Sequence, residues 1–210
     1  MIGYQMNKIF DYLDELYSNP KPELNYNNDF EFLIAVLLSA QTTDKKVNKV
    51  TKVLFSKYDI MSLSNADLKD LEIILQPLGM NKKKSKYIKD LSRELIDRFN
   101  GMVPNNIKDL TSLSGVGRKT ANLILSSIYN EPFIAVDTHV MRVTKRLKLV
   151  NKNDNVLTIE KKLYRIVPKE RILRTHQQLV LFGRYKCKAI KPLCEGCKLK
   201  DICIYEKRFD

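Results

Sequence analysis

The 210-residue chain has no tryptophan, no tandem repeat, no low-complexity stretch and no Gly/Ser-rich linker. The absence of a repeat argues against a solenoid, and the absence of low complexity argues against disorder. Its longest apolar stretch, FLIAVLLSA at 32–40, falls well short of the ~20 residues that cross a bilayer, so no membrane association is expected. The N-terminal MIGYQMNKIFDYLDELY mixes charge with apolar residues like a surface helix. It lacks the apolar core and small-residue cleavage site of a signal peptide. A cytoplasmic location is the resulting expectation.

Acidic residues are in deficit. Against 24 Asp and Glu stand 37 Lys and Arg, a formal net charge of +13. Such an excess favours a polyanionic partner over the plainer alternative of a basic protein with none. Cysteine is confined to the C-terminal end, at Cys187, Cys194, Cys197 and Cys203. In a cytosolic chain such a cluster holds a metal more often than it forms disulfides.

What is present is helical periodicity. The pattern predicts helices near 4–17, 30–39, 43–57, 65–76, 82–99, 105–113, 118–129, 138–147, 155–167 and 171–184. Thr42 or Thr43, Asn65, Asn105 or Asn106, Asp137 and Asp154 stand where caps belong. No series of alternating strands appears, so the fold class is all-α. The Pro-rich NPKPEL at 19–24 and the NEPF turn at 130–133 are the candidate boundaries. They suggest one helical lobe from the middle of the chain and a second from the first helix and the C-terminal third, with a groove between them.

SLSGVGRKTANLIL at 112–125 joins two of these helices into an αα-hairpin. Gly115 and Gly117 permit left-handed backbone angles and remove side chains from the turn. The N–H groups of Gly115, Val116 and Gly117 and of the following helix start then form an anion site suited to a DNA phosphate. Arg118 and Lys119 add positive charge. The plainer reading is an ordinary glycine turn. Lys119 opens a helix whose dipole disfavours a cation. It is either one more phosphate contact or an amine held toward its neutral, nucleophilic form. IAVDTHVMRVTKRL at 134–147 offers a carboxylate, Asp137, which reads equally as an N-cap or as a group facing a DNA groove. His139 reads as a structural hydrogen-bonder.

The cysteine pattern C-x6-C-x2-C-x5-C supplies four thiolates, which suit a structural zinc or an iron–sulfur cluster. Zinc sites more often carry two C-x2-C pairs, and one is present here. With every ligand supplied by protein, no position is left for substrate. The loop KAIKPL between Cys187 and Cys194 carries Lys188 and Lys191, which either face a phosphate backbone or are merely solvated.

LSGVGRKTANLIL, VDTHVMRV, the cysteine cluster, LLSAQTTD at 37–44 and HQQLVLFGRYKC at 176–187 together resemble the endonuclease III family of helix-hairpin-helix DNA glycosylases with AP-lyase activity. The resemblance spans nearly the whole chain. It implies a six-helix lobe over 23–132 and a cluster lobe joining 1–22 to 133–210. It implies Lys119 as the nucleophile on C1′ of the damaged nucleotide and Asp137 as the essential carboxylate. It also implies a four-iron four-sulfur cluster (4Fe-4S) on the four cysteines. The expected partner is double-stranded DNA with damaged bases or abasic sites, and the expected state is a monomer in the nucleoid-associated cytoplasm. Rival readings are a monofunctional mismatch glycosylase of the same superfamily and a non-catalytic helix-hairpin-helix DNA-binding protein.

A flipped base leaves a hole in the stack. The resemblance assigns Gln41 and Met80 to filling it, where relatives carry leucine or phenylalanine at the second position. A methionine there also reads as a packing residue. Of the lysines at 82–84, which could be a solvated helix start, Lys84 matches the family's phosphate-facing lysine. Ser114 replaces the family's usual proline in the hairpin, at an expected cost of about 0.4–1 kcal/mol.

Overall fold

The structure, a computed structural model, describes residues 2–205, with side chains from Tyr4 onward. Every regular element among them is helical: α1 Ile2–Leu16, α2 Asp29–Leu38, α3 Asp44–Lys57, α4 Ile60–Asn65, α5 Leu68–Leu75, α6 Asn81–Phe99, α7 Ile107–Thr111, α8 Arg118–Ile128, α9 Thr138–Arg146, α10 Val156–Ile166 and α11 Ile172–Leu181. A π-helical turn, Phe182–Lys186, follows α11 directly. No described helix is long and apolar enough to cross a membrane.

The chain divides into two compact units. One is Glu23–Tyr129; the other joins Met1–Pro22 to Asn130–Asp210. In Glu23–Tyr129 the apolar stretch of α2 is the central element. Phe32 to Leu38 are all buried, so this helix is covered on every side. Around it, α6 turns inward Lys84, Ser85, Ile88, Leu91 and Leu95, and α8 turns inward Ala121, Ile124 and Leu125. The core of the other unit gathers Met6, Ile9, Phe10 and Leu13 of α1 with Val140 and Val143 of α9, Ile159 and Leu163 of α10, Leu179 of α11 and Phe182.

Element boundaries follow the sequence pattern closely, with one addition, two displaced caps and one expected cap, Thr43, that stands at the start of α3 without a side-chain bond to it. The periodicity gives no signal for α4, a six-residue helix too short to show a period. It is held by a capping box in which Asp59 accepts from Ser62 N at 2.7 Å and Ser62 Oγ accepts from Asp59 N at 2.8 Å. Asn65 therefore ends α4, and Asp67 caps α5. Asn155, one residue beyond the expected Asp154, caps α10 through Thr158 N at 2.9 Å. Asp154 instead accepts from Asn151 N and Lys162 Nζ.

Candidate functional site

The hairpin lies in Glu23–Tyr129, between α7 and α8. Gly115 has φ +77, and a Cβ built there would stand 2.8 Å from the Tyr87 ring, so both backbone and packing require glycine. Gly117 differs. Its φ is −88, and an added Cβ meets nothing within 4 Å. No packing among the described residues demands glycine there; its effect is to leave open the approach to the start of α8. That start has no side-chain cap, so the first-turn N–H groups of Lys119 and Thr120 face outward as at any uncapped helix start. Gly115 and Gly117 N–H find no partner among the described residues. Arg118 and Lys119 are exposed beside them.

Val116 corrects the sequence reading of this turn. Its N–H donates to Leu113 O at 3.1 Å and its side chain is buried. It locks the turn from inside and has no donor left for a phosphate. Ser114 is better placed than proline would be. Its N–H and hydroxyl each donate to a Glu94 carboxylate oxygen at 2.7 Å, tying the turn to α6. Proline could make neither bond, so the expected penalty is offset.

Gln41 and Met80 lie in the same unit, on the loops after α2 and before α6. Both are exposed, and both have left-handed backbones, with φ 58 and 49. Lys84 contradicts its expected role as an outward phosphate contact. It is 2% exposed, on the inward face of α6, and its Nζ donates to Ala40 O and Leu78 O, each at 3.1 Å. The 84–88–91–95 spacing carried that signal in the sequence: Lys84 falls on the apolar stripe, and Lys82 and Lys83 do not. Burial lowers the Lys84 ammonium below the ordinary lysine range.

In the other unit, Asp137 is the N-cap of α9. One oxygen, Oδ1, accepts from both His139 N at 2.9 Å and Val140 N at 2.8 Å. Capping therefore engages a single oxygen, and Oδ2 has no hydrogen-bond partner among the described residues. The N-cap reading of Asp137 holds, and the cap fixes the carboxylate while leaving Oδ2 unengaged. Behind it, His139 Nδ1 lies 3.1 Å from Arg142, whose guanidinium also donates to Cys187 O at 3.0 Å and Gly183 O at 2.7 Å. His139 is structural here, as expected, and α9 is fastened to the start of the cysteine segment.

Cys187, Cys194, Cys197 and Cys203 line one cavity with Leu147, Phe182 and Leu199, and none is in a disulfide. They surround the space rather than converging: among the described residues, no three His, Cys, Asp or Glu side chains are grouped to hold a single ion. Four thiols around an apolar-walled cavity fit a group large enough to touch every wall. Arg146 organises the rim. Its guanidinium reaches Cys187 Sγ at 3.3 Å, Lys188 O at 2.7 Å and Ala189 O at 3.2 Å, and stacks 4.0 Å from the Tyr205 ring. Burial pushes the Cys187 thiol up, and Arg146 opposes it by favouring the thiolate. Lys188 and Lys191 are exposed on the intervening loop, Lys191 with φ 49.

Residues 34–169 match the HhH-GPD superfamily base excision DNA repair protein family. Endonuclease III of Bacillus subtilis (strain 168) is 43% identical over 203 residues, 95% of this chain and 91% of its own. Endonuclease III of Escherichia coli (strain K12) is 39% identical over 204 residues, 97% and 96% of the two chains. A solved structure of a trapped endonuclease III–DNA covalent intermediate, an estranged-adenine complex, superposes with a TM-score of 0.94 at 43% identity, covering 99% of each chain. An uncapped, glycine-opened helix start and a cysteine-lined cavity thus sit in a chain that belongs to the HhH-GPD superfamily of base excision DNA repair proteins, in its endonuclease III family.

Proposed function

We propose that this protein is a bifunctional DNA glycosylase and AP lyase acting on oxidised or reduced pyrimidines in duplex DNA, with Lys119 as nucleophile and Asp137 as the essential carboxylate. The observation that carries the reading is the start of α8. It presents outward N–H groups, a glycine that no packing contact among the described residues requires, and an exposed lysine with no hydrogen bond or ion pair among the described residues. N–H groups at a helix start bind phosphate.

The chemistry runs in balanced steps. The neutral Lys119 amine forms a bond to C1′, and the base departs with the glycosidic electron pair and takes up a proton. The Asp137 carboxylate stabilises the positive charge that develops on the sugar. Opening of the sugar ring gives a Schiff base between Lys119 and C1′. Loss of the C2′ proton then expels the 3′ phosphate with its bonding pair, and the strand is cut. Hydrolysis of the imine frees Lys119.

Cys187, Cys194, Cys197 and Cys203 would hold a four-iron four-sulfur cluster. Cys187 directly follows the π-helical turn, so these four ligands would tie residues 194–203 back to that turn, a structural contribution with no open coordination position. Lys188, Lys191, Arg118 and the hairpin N–H groups serve the DNA backbone. Gln41 and Met80 fill the hole left by the flipped nucleotide. The setting is the nucleoid-associated cytoplasm.

A nicking assay on a duplex with one abasic site tests the assignment. Strand cleavage by wild type and none by Lys119→Gln is the expected result. An intact strand with wild type would mean a binding protein or a monofunctional glycosylase instead.

A further inference from the structure

The fate of Lys84 leaves a question: why should a helix bury an ammonium that no carboxylate faces? Both its partners are neutral backbone carbonyls. A buried lysine is costly and would normally be replaced by leucine or methionine. The two carbonyls are not arbitrary. Ala40 immediately precedes Gln41, and Leu78 lies two residues before Met80. With each oxygen 3.1 Å from one nitrogen, the two loops are held within about 6 Å of each other at this point.

The two loops have much in common. Gln41 and Met80 both sit in left-handed conformations that non-glycine residues avoid. Both side chains project to solvent, with Met80 49% exposed. Such strain persists only where the surroundings over-determine it. The Met80 loop has a further side-chain tie, Asn81 Nδ2 to Glu72 O at 3.1 Å, which anchors it to α5. Lys84 is the side chain that reaches both loops at once.

We infer that Lys84 is a positioning residue that clamps the Gln41 and Met80 loops into one preorganised wedge for the DNA stack. This rests on the reading that Gln41 and Met80 occupy the hole left by the flipped nucleotide. A charged donor holds two carbonyls more strongly than a neutral one. It fixes the spacing between the two wedge residues before DNA arrives, so ordering them is not charged against binding.

The test is a double-mutant cycle on the full-length protein with its cysteine site loaded. Cleavage is followed under single-turnover conditions at an abasic site in two duplexes. In one the site faces a guanine; in the other it faces a one-nucleotide gap, where the stack is already broken and a wedge has no closed hole to fill. Lys84→Met should slow cleavage opposite guanine by about tenfold, slow it much less opposite the gap, and leave affinity for undamaged duplex unchanged. Amide exchange should quicken at 39–43 and 77–81 together. In a Gln41→Ala/Met80→Ala background, Lys84→Met should add little, because it acts through those two residues. If Lys84→Met does not fold, Lys84→Gln carries the same measurements.

Equal slowing on both duplexes, or an undiminished effect in the wedge-less background, would overturn the clamp in favour of a general structural role. If the Gln41→Ala/Met80→Ala protein is impaired while the Lys84 variant cleaves like wild type, the clamp fails and the wedge stands. A Gln41→Ala/Met80→Ala protein as fast as wild type opposite guanine removes the wedge itself, and the clamp with it.

Discussion

Gly115 and Gly117 are two residues apart and read alike in the sequence, yet they should fail in opposite ways. Gly115 is held by its own protein, through φ +77 and the Tyr87 ring. Gly115→Ala should cost about 1–3 kcal/mol of stability, measured by denaturant unfolding. Gly117 faces open space with an ordinary φ. Gly117→Val should leave the unfolding midpoint nearly unchanged and weaken binding to damaged and undamaged duplex alike, measured by fluorescence anisotropy at several salt concentrations. Normal binding by Gly117→Val would remove the hairpin as the phosphate site. The residue types at this turn were legible; the direction each faces was not. Val116 lies between two outward-facing glycines and points in, and Lys84 lies beside two solvated lysines and is buried. A run of similar residues does not by itself say which one the helix turns inward; the helical register does, and it had to be read against Ile88, Leu91 and Leu95.

Among the elements, long helices were legible because burial imposes a period that 14 to 19 residues repeat several times, as in α3 and α6. The capping box of α4 was there to be found, but six residues repeat nothing. Long-range polar ties had no local signal. Ser114 looked like a loss relative to proline until Glu94, twenty positions earlier, proved to bind both its N–H and its hydroxyl. Ser114→Pro should therefore destabilise the hairpin by about 1–3 kcal/mol, since it strands the Glu94 carboxylate; Glu94→Gln should soften that loss. Another such tie joins α1 to the start of α11 and its interior. Asp14 accepts from Gln178 at 2.8 Å and Arg171 at 2.8 Å, with Arg174 at 2.9 Å. Burial raises the Asp14 carboxyl, but the hydrogen bonds from Gln178 and Arg171 and the charges of both arginines outweigh it and hold it below the ordinary carboxylate range. A carboxylate depressed in the folded state stabilises fully above its unfolded value near about 3.9 and loses that contribution as pH falls through the lower folded value. Asp14→Asn should cost about 1–2 kcal/mol near neutrality, allowing for partial exposure. It should also flatten the fall in stability below about pH 4, as measured by acid unfolding.

At the level of the whole molecule, the chain combines a strongly basic surface charge, a glycine-opened helix start and a four-cysteine cavity. Net charge and cysteine spacing were plain in the sequence. That Asp137 caps α9 through one oxygen and keeps the other was not, because a cap and a catalytic carboxylate carry the same letter at the same position. The purified protein should be yellow-brown, with about four irons per chain. Cys194→Ser or removal of the metal should unfold the C-terminal segment, because the free energy of binding is also folding free energy. One zinc and no iron after anaerobic purification would replace the cluster with a mononuclear site. The central claim is that the amine of Lys119 attacks the sugar. A Schiff base reduced by borohydride becomes a permanent protein–DNA crosslink, which is read as a shifted band on a denaturing gel. Wild type on abasic-site duplex should give that band. Lys119→Gln should give none while keeping most of its DNA affinity, and Asp137→Asn should bind at least as tightly as wild type yet excise bases very slowly. A Lys119→Gln protein that is still trapped on DNA would mean that another amine is the nucleophile.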